Sequence, residues 1–375
     1  MAGIVLSSDI GTSSLKAAYI DSEGKLLAFA REFYGRGAPA ASGAAAWERA
    51  FALALEKLRA LAPGCIPDAV CVSGNGPTLV PVTADNESLP PLYWYGEKTL
   101  LAGEHTALSF FLPHAARFKE TAPSEYKKVK YFFSSHEWLA RRLGAGAFTV
   151  LPPSYEPYYW DDEQCRLYGL ERNKFPPFIK TGSVMGKVSD EAASFFCANA
   201  CLRSGTPIIA GGPDFITALI GTGVQKPGDV CDRAGSSEGI NVCAALPVKV
   251  DGLRALPHAK EGLWNISAII PSSGCLFEEY RFKAGRQNRS YEELLAELIP
   301  AGILSPHSLF PIPQFPLNEG QALLCAMGFA VRSALDTLKK AGLEVREMRL
   351  SGGQAKSARW NQLKADITGV SLLVP

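Results

Sequence analysis

A turn near the start of the chain combines the residue types that bind phosphate and magnesium. Residues 9–16 read DIGTSSLK, with glycine and small hydroxyl residues between two apolar runs. A turn of this kind exposes backbone N–H groups that can cradle a phosphate. Its central residues are Gly11, Thr12 and Ser13. Asp9 can hold Mg²⁺ through its water shell, and Lys16 can reach phosphate oxygens. In isolation, the same turn is also a common structural hairpin.

A second turn of the same type lies in the second half of the chain. Residues 234–239 read AGSSEG, which places Gly235 and Ser236 between two apolar runs. A lone Gly-Ser-Ser turn is usually structural. Its pairing with residues 9–16 favours two hairpins that hold a polyphosphate between them.

The segment GGPD, residues 211–214, joins an apolar strand pattern to a helix of small residues. Asp214 can cap that helix, or it can accept a proton from a substrate hydroxyl. Phosphoryl transfer needs mainly positioning, charge neutralisation and such a base. Both interpretations of Asp214 stay open from its position alone.

Glycines also follow two later strand patterns. The segment SGGQAKS, residues 351–357, opens a helix, and Gly274 follows the run at residues 264–270. Glycine at such a place lets a flat nucleoside approach the backbone, although the turn can equally be structural. The candidate nucleotide-binding residues here are Gly274, Gly353, Gln354 and Ser357.

The two halves of the chain share one order of elements. Each has a hairpin around a Gly-Ser/Thr turn, a third strand, a helix and a strand that ends in Ser-Gly. The helix of the first half has Phe51, Leu55 and Leu58 at helical spacing. The helix of the second half, near residues 320–340, has an apolar face formed by Leu324, Met327, Val331, Leu335 and Leu338. Duplication of a βββα unit explains this order most simply.

Composition excludes several classes of protein. The 375 residues are 47% hydrophobic and 20% charged, with a net charge of +1, so neither nucleic acid nor a charged membrane surface is an expected partner. The start of the chain lacks the pattern of a signal peptide, and no apolar run of about 18 residues occurs, which predicts a cytoplasmic protein. The nine cysteines predict reduced thiols, and the pair Cys197 and Cys201 lacks the second pair of a zinc site.

Taken together and in this order, these segments resemble the FGGY carbohydrate kinases, such as xylulokinases and glycerol kinases. Residues 9–16 look like the first phosphate motif of that family, and residues 212–223 look like its catalytic aspartate segment. Residues 351–366, SGGQAKSARWNQLKAD, are the most specific match. The resemblance implies an α/β, two-domain actin-like (ribonuclease H-like) sugar kinase fold with an interdomain cleft. The expected domains are residues 1–223 and 224–375.

The resemblance implies ATP-dependent phosphorylation of a sugar or polyol, with Asp214 as general base and Mg²⁺ near Asp9. The sugar would lie beside Asn75, Trp94 and Asp214. One alternative is a degenerate kinase that binds sugar or nucleotide as a regulator, and another is an actin-like ATPase without a sugar substrate. A small-molecule sugar or polyol is the expected partner, and a homodimer stays open.

Several residues depart from the family pattern. Residues 75–77 are Asn-Gly-Pro, where xylulokinases carry Gln-Met-His and glycerol kinases carry Arg-Glu. Tyr95 and Gly96 follow Trp94 in place of Asn-Asp, and Phe215 follows the catalytic position. These departures predict a substrate other than xylulose or glycerol. The segment before Glu319 is short, and the family pattern continues past Pro375, which predicts an incomplete second domain.

Overall fold

The computed structural model divides the chain into two compact units, Met1–Thr217 and Ala218–Pro375. The residues that it describes are 3–34, 43–93, 96–99, 109–196, 202–235, 237–299 and 318–374. The boundary predicted near residue 223 stays a prediction, because compactness by itself does not delimit an independently folding domain.

The first unit contains strands β1 to β10 and helices α1 to α8, the last of which ends in the second unit. The strands are Ile4–Ile10, Ser14–Asp21, Leu26–Phe33, Ala69–Gly74, Leu79–Thr83, Val129–Ser134, Thr149–Val150, Phe178–Ile179, Val184–Lys187 and Pro207–Pro213. The helices are Gly43–Leu61, Leu112–Thr121, Pro123–Lys128, Ser135–Leu143, Glu156–Tyr159, Asp162–Leu167, Asp190–Phe196 and Asp214–Gly221. Single 3₁₀ turns cover Pro153–Tyr155 and Arg172–Lys174.

The second unit contains strands β11 to β16 and helices α9 to α12. The strands are Val230–Ala234, Glu238–Ala244, Leu253–Pro257, Trp264–Ile270, Glu347–Ser351 and Ser371–Leu373. The helices are Gly274–Lys283, Tyr291–Leu298, Glu319–Lys340 and Ala358–Thr368, with a 3₁₀ turn at Gln354–Lys356.

Five strands of each main sheet follow the same plan. The first has the order β3-β2-β1-β4-β10-β9 and the second has the order β13-β14-β12-β11-β15-β16. In each, a central strand pairs antiparallel with the strand of its own hairpin and parallel with the strand on its other side. Beyond each hairpin, β3 pairs antiparallel with β2, and β14 pairs antiparallel with β12. The second sheet has β13 as a further strand outside β14, and the first has β9 as a further strand beside β10. The repeated order of elements predicted from the sequence is therefore a repeated sheet topology.

Helix α1 covers one face of the first sheet because its apolar residues recur at helical spacing. Trp47, Phe51, Leu55 and Leu58 are all at most 3% exposed and belong to the core of this unit. Trp47 packs edge-on against Trp138 of α4, with ring centroids 5.6 Å apart. Each such side chain contributes roughly 2 kcal/mol through burial. The apolar face predicted for the first half of the chain is confirmed.

Helix α11 plays the same part in the second unit. Its five predicted core residues are buried, and the helix begins after a capping box at Asn318 and ends at Lys340. Gly342 follows in a left-handed conformation at φ +80°, which relieves the chain of the strain that other residues would meet there. The predicted helix is therefore confirmed within two residues at each end.

Strand β10 is longer than its sequence pattern indicates. The sequence pattern takes the glycines before Asp214 as a connection between strand and helix, but β10 continues through them and pairs with β4 across a bulge between Ala210 and Gly212. A Cβ at Gly211 would lie 2.3 Å from the carbonyl oxygen of Val72, and Gly212 has φ +106°. Glycine is needed at both places because the strands come unusually close and the backbone turns left-handed.

Candidate active site

The first phosphate-type turn joins β1 to β2. The Gly11 N–H donates to the Ser14 carbonyl at 3.0 Å and closes the turn. Asp9 and Lys16 are cross-strand partners, and Lys16 Nζ lies 2.8 Å from Asp9 Oδ2. Their side chains are 34% and 42% exposed, so both can reach a ligand. Within the described part of the chain, no hydrogen bond occupies the backbone N–H groups of Thr12 and Ser13.

Parallel pairing brings the candidate base to the same edge of this sheet. Asp9 of β1 pairs with Ser73 of β4, and Gly74 of β4 pairs with Pro213 of β10. Asp214 follows Pro213 directly and begins α8. Two strand spacings, about 10 Å, therefore separate the strand that carries Asp9 from the strand that presents Asp214. Such a gap has room for a phosphoryl group and a substrate hydroxyl.

Two hydroxyl groups hold the start of α8 in place. Thr217 Oγ1 donates to the Asp214 carbonyl at 3.1 Å and lies 3.1 Å from Ser73 Oγ. Because the Thr217 proton is used in the first bond, the Ser73 hydroxyl donates in the second. The end of β4 is thereby tied to the first turn of α8. Since α8 begins at Asp214, the residue before it, Pro213, occupies the N-cap position.

Asn75 lies at the same edge, just after β4. Its N–H donates to the Ile10 carbonyl at 2.7 Å, and its side chain is only 5% exposed. Ser135 Oγ lies 3.2 Å from Asn75 Oδ1. The peptide bond that follows at Gly76-Pro77 is cis. Trp94, the other predicted sugar-contacting residue, lies outside the described residues.

Aromatic rings surround the first turn of α8. Tyr155 packs near Phe215, with ring centroids 6.5 Å apart, and Tyr159 packs against Tyr155 at 6.1 Å. Burial raises the pKa of Tyr159 well above its usual value, and the neighbouring acidic groups of Glu137, Tyr155 and Asp214 raise it further. The Tyr159 phenol therefore stays protonated at neutral pH. The surroundings of Asp214 are apolar on this side, which strengthens electrostatic interactions there.

The nucleotide-side residues predicted in the second unit meet around one turn. Gly235 N–H donates to the Ser237 carbonyl at 2.9 Å, and the Gly235 carbonyl accepts from Gly274 N–H at 3.2 Å. Gln354 Nε2 donates to the same carbonyl at 2.9 Å. Three segments separated by tens of residues are thus joined at Gly235. Ser236, at the centre of this turn, lies outside the described residues.

The side chain of Gln354 makes three hydrogen bonds within the protein. Nε2 also donates to Ser273 Oγ at 3.0 Å, and Oε1 accepts from Trp360 Nε1 at 2.9 Å. Gly353 precedes it with open space around its Cβ position, and the Ser357 hydroxyl caps α12. The predicted contact of Gln354 with a nucleoside stays a prediction. Its amide side chain already joins the β11–β12 turn to α12.

The glycine pair of this segment supports a direct test. Gly352 has φ +94°, and a Cβ there would lie 2.3 Å from the Ala234 carbonyl oxygen. Gly353 has φ −67° and no atom within 4 Å of its Cβ position. We expect Gly352→Ala to lower the free energy of unfolding by about 2 kcal/mol or more, because it adds both a clash and backbone strain. Thermal melts compare it with Gly353→Ala, and equal melting temperatures for the two variants would contradict the expectation.

Sequence reasoning missed three buried charged residues beside this turn. Lys364 of α12 donates to Asp232 of β11 at 2.7 Å and to Glu238 of β12. Glu238 stands in the AGSSEG segment and Lys364 in the SGGQAKSARWNQLKAD segment, so both belong to patterns that were recognised. Their pairing was invisible because 126 residues separate them.

The described residues contain no group of three or more His, Cys, Asp or Glu side chains placed to hold a metal ion. A single carboxylate is enough for Mg²⁺, which usually keeps several waters and takes its other ligands from substrate phosphates. The half-exposed carboxylate of Asp9 fits that requirement. Among the described residues, no helix is long and apolar enough to cross a lipid bilayer.

Comparison with known proteins finds similarity to a family of carbohydrate kinases. Residues 284–375 match the model of the FGGY family of carbohydrate kinases, C-terminal domain. This C-terminal part of the chain resembles the FGGY carbohydrate kinases. The chain is 23% identical over 327 residues to an autoinducer-2 kinase from Klebsiella pneumoniae, an alignment that covers 73% of this chain and 59% of that protein. A 22% identical autoinducer-2 kinase from Salmonella typhimurium aligns over 99% of this chain and 82% of its own length.

Solved structures of FGGY kinases have the same fold. The xylulose kinase from Rhodospirillum rubrum superimposes with a TM-score of 0.76 at 20% identity, covering 99% of this chain and 86% of that one. The Plasmodium falciparum glycerol kinase with ADP gives a TM-score of 0.76 at 14% identity, covering 100% and 86%. The predicted two-domain, actin-like α/β fold of the FGGY kinases is confirmed. The chain spans about three fifths of the length of several autoinducer-2 kinases that it matches.

Proposed function

We propose that this protein transfers the γ-phosphoryl group of ATP to a hydroxyl of a sugar or polyol. The observation that carries the proposal is the common sheet edge of Asp9 and Asp214, two strands apart, in a chain whose residues 284–375 match a carbohydrate kinase family. A regulatory binder would need neither a base nor a metal-holding carboxylate at this edge.

In the proposed reaction, the Asp214 carboxylate accepts the proton of the substrate hydroxyl. The hydroxyl oxygen then forms a bond to the γ-phosphorus in line with the bond to ADP, which breaks as ADP leaves. Lys16 and the free N–H groups of Thr12 and Ser13 offset the charge on the phosphate oxygens. Mg²⁺, held through Asp9, would supply further charge neutralisation on the phosphates.

The acceptor side is proposed to lie beside Asn75, Trp94 and Asp214. The Asn75 amide follows the end of β4, and the rings of Tyr155 and Phe215 lie near the start of α8. Apolar rings can pack on the C–H face of a sugar, while the amide bonds its hydroxyls. The nucleotide phosphates are proposed to lie near the turn at Gly11.

The experiment that tests the function is ADP release by purified protein with MgATP and a panel of acceptors. The panel contains autoinducer-2, xylulose, gluconate and glycerol, after the names of relatives and solved structures, together with other pentoses, hexoses and polyols. We expect one acceptor class to raise ADP release at least tenfold over the rate without acceptor. An equal rate with and without every acceptor would favour an ATPase, and no ADP release would favour the regulatory binder.

A further inference from the structure

Three charged side chains lie completely inside the second unit. Lys364 and Asp232 are 0% exposed and Glu238 is 1% exposed. Lys364 Nζ donates to one oxygen of each carboxyl group. Such burial is rare for charged residues and occurs when they are paired.

The charges of this cluster do not balance when every group is ionised. One ammonium faces two carboxylates, which would leave a net charge of −1 in the protein interior. Asp232 Oδ1 is also buried and has no hydrogen-bond partner among the described residues. An uncompensated buried charge is costly, so one carboxyl group keeps its proton near neutral pH.

The cluster connects outward to the predicted nucleotide turns. Ser273 Oγ donates to Glu238 Oε2 at 2.6 Å, and Gln354 Nε2 donates to Ser273 Oγ at 3.0 Å. Gln354 also holds the Gly235 carbonyl. A continuous line of hydrogen bonds therefore runs from Lys364 to the β11–β12 turn.

Contacts made by α12 connect Gln354 back to Lys364. Trp360 Nε1 donates to Gln354 Oε1 at 2.9 Å, and Lys364 Nζ lies 5.4 Å from the centre of the Trp360 ring. Trp360 and Lys364 are one helical turn apart in α12. Because the ring of contacts includes β11, β12, α12 and the residue before α9, these elements cannot shift separately.

We propose that the Lys364 network, formed by Asp232, Glu238, Ser273, Gln354, Trp360 and Lys364, positions the nucleotide-binding turns and carries one proton that it releases near neutral pH. The proposal rests on the function proposed above for its effect on nucleotide. It makes Lys364 a positioning residue that acts on the turns through Glu238 and Ser273.

Stability alone does not explain this cluster. Buried charge clusters are often no more stable than apolar residues of the same volume, because desolvation offsets the attraction between the charges. An apolar residue at position 238, however, would leave the Ser273 hydroxyl without its acceptor and the line to Gln354 broken. The network is therefore best understood through the geometry that it imposes on Gly235 and Gly274.

The proton makes the network sensitive to pH. Burial raises the pKa of Asp232 to about 7, with Glu238 adding to the shift and Lys364 opposing it. Burial lowers the pKa of Lys364, but the two neighbouring carboxylates outweigh it and hold that pKa above its usual value. The facing charged groups are thus Asp232 from β11, Glu238 from β12 and Lys364 from α12. From α11, Arg332 donates to the Ile367 carbonyl of α12.

The sign of the pH effect follows from the raised pKa. The folded protein binds the proton more tightly than the unfolded chain, so the stabilisation is complete below the unfolded pKa near 4 and is lost as pH rises to about 7. Above that pH, the network carries a negative charge behind a turn that would hold phosphates. The buried carboxyl of Glu137, whose pKa burial also raises to about 7, belongs to the first unit and contributes equally to every variant below.

Three substitutions separate the two parts of the proposal. Ser273→Ala cuts the line to Gln354 and leaves the buried charges in place. It removes no helix cap, because the Ser273 side chain makes no capping bond. Glu238→Gln removes one negative charge and keeps an oxygen for Lys364, while its amide N–H donates to Ser273 Oγ in place of accepting from it. Lys364→Met removes the ammonium, and Lys339→Met, on the exposed side of α11, is its matched control.

The readouts are amide hydrogen exchange at residues 230–240 and 271–280, thermal melting from pH 5 to pH 8, and binding of MgADP. We expect Ser273→Ala and Lys364→Met to speed exchange at Gly235 and Gly274 about tenfold and to weaken MgADP by about tenfold. We expect Glu238→Gln to exchange its amide hydrogens about as slowly as wild type. Its melting temperature should fall much less between pH 5 and pH 7 than that of wild type. Lys339→Met should match the wild type throughout.

Each outcome decides one claim. Unchanged exchange in Ser273→Ala would overturn the positioning role, and this variant carries that test if Lys364→Met does not fold. If the melting temperature of Glu238→Gln depended on pH as that of the wild type does, the claim that the network carries a proton would be wrong. If wild-type protein bound no MgADP but the exchange and melting results were as expected, the proposed kinase function would be wrong. The positioning role and the proton of the network would still be supported. If MgADP bound equally to all variants, the network would have no part in nucleotide binding.

Discussion

Asp214→Asn should lower kcat by about 10²–10⁴-fold while the fold stays intact. The amide has the same shape as the carboxylate but cannot accept the proton of the substrate hydroxyl. The Thr217 bond to the residue 214 carbonyl involves only the backbone there and is retained. The measurement is the rate of ADP release with the best acceptor at saturating MgATP, together with a thermal melt.

A matched control for this substitution exists in the same unit. Asp190 is exposed and is the first residue of α7, as Asp214 is of α8. Asp190→Asn tests what the loss of a negative charge at a helix start does on its own, which is worth a few tenths to about 1 kcal/mol of stability. A folded Asp214→Asn protein with the kcat of wild type would show that Asp214 is not the general base. The regulatory-binder interpretation would then be favoured.

Asp9→Asn should lower kcat/KM for MgATP by roughly 10²–10³-fold and raise the Mg²⁺ concentration needed for half-maximal rate. The substitution removes the negative charge that faces Lys16 and that would hold the hydrated metal ion. Because Asp9 is only part-buried, the fold should tolerate the amide. Initial rates at fixed ATP over a Mg²⁺ titration give both quantities.

Asp21→Asn is the comparison for this second experiment. Asp21 ends β2, and its side chain accepts from the N–H groups of Glu23 and Lys25 in an exposed turn. An asparagine oxygen can accept those bonds, so the rate and the Mg²⁺ requirement should stay those of wild type. If Asp9→Asn behaved like Asp21→Asn, the first turn would not be the metal side of the site.

Local features of the chain were predictable because they depend on neighbouring residues. The turn between Asp9 and Lys16 follows from a glycine and small hydroxyl residues between two apolar runs, and the structure has a hairpin there. The apolar face of α11 follows from its 3.6-residue period. The repeated order of elements also predicted two similar sheets, and five strands of each sheet follow the same order.

Strand β10 was the exception at local level. The sequence analysis takes its glycines as part of the connection to the next helix, since glycine is common in connections. The structure instead uses Gly211 for a close approach to the Val72 carbonyl and bends the strand by a bulge that presents Asp214. The neighbour that requires the glycine is about 140 residues earlier in the chain, so the local pattern could not distinguish a turn from a bulge.

By itself, the sequence determined the types of residue at each turn, the periodicity of the helices and the resemblance to FGGY kinases. Only the tertiary structure decided which of those residues meet. Asp232 and Lys364 are 132 positions apart and touch because the β11 strand and the α12 helix pack on each other. Gln354 lies in a predicted nucleoside-binding motif, but its side chain forms hydrogen bonds with Gly235, Ser273 and Trp360. Such contacts depend on strand order and helix packing across the whole unit, and periodicity within one segment holds no information about them.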